Sequence, residues 1–159
     1  MSQSQLPTLP CLCSSVRRAS RALTQRYEQT LRPFGLRATQ FTILQVLAIA
    51  GEVPQGQLGE MLAMDSTTLT RTLQIMINQG WVAGRRGGEV RPGGNPPPKE
   101  DRRQRWLRLA LAGKAQLDRA LPAWKKVQSQ LQRELGEHSW KELFRLSDQL
   151  TNLATTPRE

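Results

Sequence analysis

Histidine occurs once in these 159 residues, at His138, tyrosine once and cysteine twice. Two cysteines, Cys11 and Cys13, are too few for a disulfide scaffold. There is no histidine-containing triad, no paired acid, and no glycine-rich loop between a strand and a helix. Enzymatic chemistry is therefore not expected, and neither is a cofactor. No apolar run approaches the roughly 18 residues that a membrane helix requires. The opening residues lack a basic head followed by an apolar stretch, so a signal peptide is not expected and the cytoplasm is. Acidic side chains are also short: 13 Asp and Glu stand against 23 Lys and Arg, a formal charge of +10.

That surplus favours a polyanionic partner. It is also clustered. Residues 85 to 108 carry eight cations (Arg85, Arg86, Arg91, Lys99, Arg102, Arg103, Arg105 and Arg108) against Glu89, Glu100 and Asp101. A clustered excess points to nucleic acid more strongly than a diffuse one.

Helical periodicity organises most of the rest. After an arm at residues 1–13 with Pro7 and Pro10, the residues Val16, Ala19, Leu23, Tyr27 and Leu31 form one apolar stripe from about Ser14. Pro33 and Gly35 end that helix. Thr39 is placed to cap the next. Its body, residues 41–50, is apolar nearly all round, as befits a central helix. Pro54 starts a short helix over about 55–62, with Leu58, Met61 and Leu62 inward. Asp65 or Ser66 caps a following helix over about 66–79, which Gly80 stops. Leu69, Leu73 and Met76 face inward there, leaving Ser66, Thr67, Thr68, Thr70 and Arg71 outside.

Residues 81–86 and 105–109 read as two strands of a hairpin. Between them, about 87–104 is a long loop with four glycines and four prolines, a density that disfavours regular structure. A helix over about 112–135 carries Leu117, Leu121, Trp124, Leu131 and Leu135, and Pro122 should kink it. In the last helix Ser139 and Glu142 have capping-box spacing, with His138 in the turn before. Trp140, Leu143, Leu146, Leu150 and Leu153 make its stripe.

A short helix, a polar-faced helix, an arginine-tipped hairpin and long striped helices follow in that order. The run from "LRATQFTILQVLA" through "QLGEMLAMDSTTLTRTLQIMINQGWV" to "EDRRQRWLRLALAG" resembles the MarR family of bacterial winged helix–turn–helix regulators. Asp101-Arg102-Arg103 corresponds to the family's Asp-x-Arg wing motif. Leu109 to Gly113 corresponds to its Leu-Thr-x-x-Gly, with Ala110 in place of Thr. The wing loop is long for the family and rich in proline, and the Cys11/Cys13 pair is no general family feature. The resemblance spans roughly residues 14–153.

It implies a mainly α fold with a small β-hairpin wing. A DNA-binding lobe at 37–111 would join a helical dimerisation lobe at 14–36 and 112–159. It implies a homodimer on a near-palindromic double-stranded operator, acting as a transcriptional regulator and commonly a repressor. In such a lobe the hydroxyls of Ser66, Thr67, Thr68 and Thr70 suit a crowded major groove, and Arg71 can grip a guanine. By the resemblance Arg103 enters a minor groove, oriented by Asp101, while Arg102 and Arg105 meet phosphates. Gln55 and Gln57 are further candidates for phosphate contacts. The alternative is a non-specific architectural DNA-binding protein driven by charge alone.

Cys11 and Cys13 lie beside a helix start and near Arg17 and Arg18, a setting that favours thiolate. Three readings stay open: inert thiols, a redox switch that pairs across the dimer, or a soft-metal site. Family members often bind small aromatic effectors between the two lobes, and the resemblance makes Trp124 a candidate for that cleft.

Overall fold

A computed structural model describes residues 11–89 and 103–155. The chain begins with helix α1 (Leu12–Leu31) and a 3-10 turn over Arg32–Phe34. Helix α2 (Ala38–Ala50), strand β1 (Val53–Pro54), helix α3 (Gln55–Met61) and helix α4 (Ser66–Asn78) follow. Strands β2 (Val82–Arg86) and β3 (Arg105–Leu109) form the hairpin. Helices α5 (Leu111–Leu135) and α6 (Glu137–Thr155) close the chain.

The core is built where the apolar faces of α2, α3, α4, the sheet and α5 converge. Phe41, Ile43, Leu44 and Leu47 of α2 are buried with Leu58, Leu69, Leu73, Met76, Leu107 and Leu117. Centrality of α2 holds for its body, but Ile49 near its end is 88% exposed. Met61, expected inward, is also exposed, because α3 ends at that residue and the chain turns away.

The sheet has a strand that periodicity did not reveal. Val53 and Pro54 pair antiparallel with Leu107 and Trp106, giving the order β1-β3-β2. Two residues are too few to show an alternation. Pro54 is tolerated there because β1 is an edge strand, where a missing N–H breaks no ladder.

Several helix ends differ from their sequence signals. Helix α1 starts at Leu12, so Cys11 is its N-cap and Cys13 lies in its first turn rather than in an arm. Helix α2 starts one residue before Thr39. The Arg37 N–H donates to Gln40 Oε1 at 3.0 Å and the Ala38 N–H to Glu28 Oε1 at 2.8 Å. A carboxylate from α1 thus joins Gln40 in capping the helix, in place of Thr39. Helix α6 starts at Glu137, so Ser139 and His138 lie inside it and no Ser139 cap forms. Gly136 supplies the break, with φ +77°. Helix α5 continues unbroken through Pro122, which is exposed.

One close approach joins the hairpin to α5. The Ala110 N–H donates to the Trp81 carbonyl at 3.0 Å. Gly113, one turn on, faces that same carbonyl, and a Cβ at Gly113 would collide with it and come within 2.9 Å of Leu109 Cδ1. Glycine at this place in the Leu109–Gly113 motif is therefore a packing requirement. Gly113→Ala is expected to destabilise the fold by about 1–3 kcal/mol, the usual cost of overpacking. Urea unfolding measures it, and an unchanged midpoint would show that the two backbones separate freely.

Candidate nucleic-acid interface

The polar face of α4 is built by its cap. Asp65 Oδ1 accepts from the Thr68 N–H at 2.8 Å, satisfying one of the free donors of the first turn. Hydrogen bonds from Thr68, through side chain and then backbone, hold the Asp65 carboxyl below the usual carboxylate range. Between α3 and α4 the chain makes a tight turn in which Ala63 has φ +48° and the Met64 N–H donates to the Gly59 carbonyl at 3.0 Å. Gly59 permits the helices to touch, since a Cβ there would stand 3.3 Å from Leu69 Cδ2.

With Leu69, Leu73 and Met76 buried, Ser66, Thr67, Thr68, Thr70 and Arg71 are all exposed on the outer side of α4. Gln57 is exposed on α3. Gln55 does not stand alone at the start of α3. Its Nε2 donates to Thr70 Oγ1 at 3.0 Å, clipping the short helix to the polar-faced one. That bond uses one of the amide's two protons and orients the threonine hydroxyl.

The hairpin brings its arginines to the same side. Gln55, Asp65, Ser66, Leu69, Arg103 and Arg105 line one groove between the start of α4 and the end of the loop. Arg103 is exposed and Arg105 half-buried. The Arg105 guanidinium lies over the backbone of Gly84, where a Cβ would meet Nε at 3.0 Å. Asp101 and Arg102, with the middle of the long loop, lie outside the described residues.

Arg85, counted in the basic cluster, has a different task. Its Nε and Nη2 donate to the two Glu52 carboxylate oxygens at 2.8 and 2.9 Å. Both side chains are only 11% exposed. The guanidinium also stacks on Trp106, 5.2 Å from the ring centroid. This clamp ties the residue before β1 to the loop end of the hairpin strands. Sequence reading missed it because the partners are 33 residues apart with no periodic relation.

Cys11 and Cys13 are free and exposed. No group of three or more His, Cys, Asp or Glu placed to hold a metal occurs among the described residues. Trp124 lines a cavity of about 370 Å³ between α1, α2, α5 and α6, with its ring centroid 5.7 Å from that of Phe41. No described helix is long and apolar enough to cross a membrane.

A family model for the MarR family matches residues 34–91. A crystal structure of the M. tuberculosis transcriptional regulator MosR in complex with DNA is 32% identical, with a TM-score of 0.76. It covers 91% of this chain and 96% of that one. An HTH-type transcriptional regulator of Bacillus subtilis (strain 168), YwoH, is 29% identical over 80 residues, or 50% of this chain. That match spans 58% of the relative's length. The structure of NadR in complex with 4-hydroxyphenylacetate is 19% identical, with a TM-score of 0.68 and 99% coverage of both chains.

Removing the Glu52 carboxylate should leave the Arg85 charge partly buried and loosen the hairpin. Glu52→Ala is expected to cost about 1.5–3 kcal/mol of stability, the range for hydrogen bonds to a charged group. Thermal unfolding with a double-mutant cycle against Arg85→Ala measures it, and additive effects would show that the clamp carries no coupling.

Proposed function

Because the chain belongs to the MarR family of DNA-binding, winged helix–turn–helix transcriptional regulators, we propose that it binds a near-palindromic operator as a homodimer and represses transcription there. One observation carries this reading. Ser66 and its neighbour Asp65 at the start of α4 line a single groove with Gln55 and the wing arginines Arg103 and Arg105. An α-helix fits the major groove, and an arginine beside it suits the adjacent minor groove or phosphates. In this role Arg71 reads a base, Ser66, Thr67, Thr68 and Thr70 meet phosphates or bases, and Gln55 and Gln57 support them. Arg102 and Asp101 act in the wing, Asp101 as the partner that orients Arg103.

Dimerisation is supported by apolar surface that a single chain leaves open. On α1, Leu12 and Val16 are 65% and 46% exposed. On α6, Phe144 and Leu153 are 53% and 74% exposed, and no residue of that helix is buried. Stripes of this kind on one side of a chain call for a cover, and a second copy offers the same stripes in return.

Release from DNA is proposed to follow either of two signals. A small aromatic effector would enter the cavity that Trp124 lines, wedged between α2 of the DNA-binding lobe and the helices of the dimer lobe. Alternatively, oxidation of Cys11 and Cys13, exposed at the start of α1, would pair them across the dimer and shift that helix. The site of action is proposed to be the cytoplasm.

Fluorescence anisotropy on the DNA upstream of the chain's own gene, against a scrambled duplex and across a salt series, tests the core of this reading. Arg71→Ala should relax preference at one base pair per half-site, worth about 1–3 kcal/mol. Arg103→Ala should weaken binding and lower the salt slope by about 1 per protomer, with the dimer intact by light scattering. Equal affinity for specific and scrambled DNA after site selection would instead support a charge-driven architectural protein.

Peroxide should release wild-type protein from the operator and leave the Cys11→Ser/Cys13→Ser variant bound. A response that survives in the double variant would remove these thiols as sensors.

A further inference from the structure

Gln55 opens α3 rather than the polar-faced helix, yet its side chain crosses to α4. Its Nε2 donates to Thr70 Oγ1 at 3.0 Å, joining residues 15 apart in the chain. Thr70 is exposed and Gln55 half-buried. Gln55 also lines the groove shared with Arg103 and Arg105, and Gly56 beside it adds no side chain to crowd the amide. The pair therefore stands on the side proposed above to meet DNA.

The bond fixes the polarity of the threonine hydroxyl. Other helical threonines turn the hydroxyl back on their own helix. Thr72 donates to the Thr68 carbonyl at 2.9 Å, Thr42 to that of Ala38 at 3.1 Å and Thr30 to that of Arg26 at 3.2 Å. Among the described residues Thr70 makes no such bond, and its side-chain partner is Gln55. An oxygen that accepts from an N–H must turn its own proton elsewhere, and accepting strengthens it as a donor. The Gln55 amide has two N–H groups and uses one of them on Thr70. Two donors are thus left on neighbouring atoms 3.0 Å apart.

We propose that Gln55 and Thr70 act as one base-reading unit, presenting two adjacent donors to the O6 and N7 acceptors of a guanine, which makes Gln55 of the short helix a specificity-determining residue. The inference rests on the DNA-binding reading above and names one base of the operator. In the major groove guanine alone shows two acceptors side by side. Adenine sets an N6 donor beside its N7 acceptor, cytosine offers a donor, and thymine an acceptor next to a methyl group. On each of these three, one of the paired donors meets a like group or stays unsatisfied. Thr70 and Arg71 are about 100° apart around α4, which leaves a different base pair to Arg71. Gln55 contributes what α4 does not supply by itself, a second donor held at a fixed distance from the first. The bond to Thr70 sets that arrangement before DNA arrives, so little ordering remains to be done on binding.

Selection from random DNA with the full chain supplies the operator. Fluorescence anisotropy then scores each guanine replaced by adenine, or by 7-deazaguanine, which lacks the N7 acceptor. One guanine per half-site is expected to lose about tenfold in affinity with either replacement. Gln55→Leu and Thr70→Val should each lose the preference for guanine over adenine at that one base pair, with no further loss when combined, and keep the preference at every other. Thr70→Ser, which keeps the hydroxyl, should retain it. Thermal unfolding checks that each variant folds, and Gln55→Met takes the place of Gln55→Leu if it does not. An equal loss of affinity on all sequences would overturn the base assignment and leave the pair on phosphate. A lost preference for a base other than guanine would overturn the donor polarity. Additive effects of the two substitutions would overturn the unit. Selection that yields no preferred sequence would overturn the operator reading itself.

Discussion

The contact between the start of α5 and the Trp81 carbonyl governs how the two halves of this molecule are joined. The carbonyl accepts from Ala110 and lies against Gly113. That places the long helix at the root of the hairpin, with no side chain between the two backbones. Trp81 directly follows Gly80, whose φ of +71° stops α4. The polar-faced α4, the first hairpin strand and the long α5 therefore meet at one point. The Gln116 side chain, which donates to the Phe34 carbonyl, ties α5 to the 3-10 turn after α1.

Around this junction the arginines divide by burial. Arg85 is enclosed, paired in two hydrogen bonds with Glu52 and stacked on Trp106. Its charge is used inside the protein, to hold β1 against the hairpin. Arg71 and Arg103 are exposed. The count of 23 Lys and Arg thus overstates the cations offered for binding, because several are held in pairs such as Arg26–Glu134 and Arg145–Glu142. The exposed ones matter more, since charge facing water can still gain from neutralising phosphate.

The helical lobe has the reverse character. Its outer stripes are apolar and open, and the half-open cavity between its helices and α2 is lined largely by aromatic and aliphatic side chains. Both follow from amphipathic helices that have more apolar surface than one chain can bury. Leu31 and Leu131 are buried against the core, whereas residues on the same helices nearer the chain ends, such as Val16 and Leu135, are not. The cavity forms where the stripes of α1, α5 and α6 pass α2 without interdigitating completely.

Much of this was legible in the sequence because it depends on neighbours three and four residues apart. The stripes of α1, α4, α5 and α6, the Asp65 cap, the Gly80 stop and the limits of the glycine- and proline-rich loop are all local. So was the set of exposed hydroxyls on α4, since three buried residues at helical spacing fix which side faces out. Only the tertiary structure decided the rest. The pairing of Val53 with Leu107, the Glu52–Arg85 clamp and the Gln55–Thr70 bond each join residues far apart in the chain. Glu28 of α1 moved the start of α2 ahead of Thr39. Glycine's freedom at Gly136 let α6 begin before the Ser139 capping box could form. Local propensity sets what an element can be. Which donor meets which acceptor is decided when packing brings distant segments within hydrogen-bonding reach.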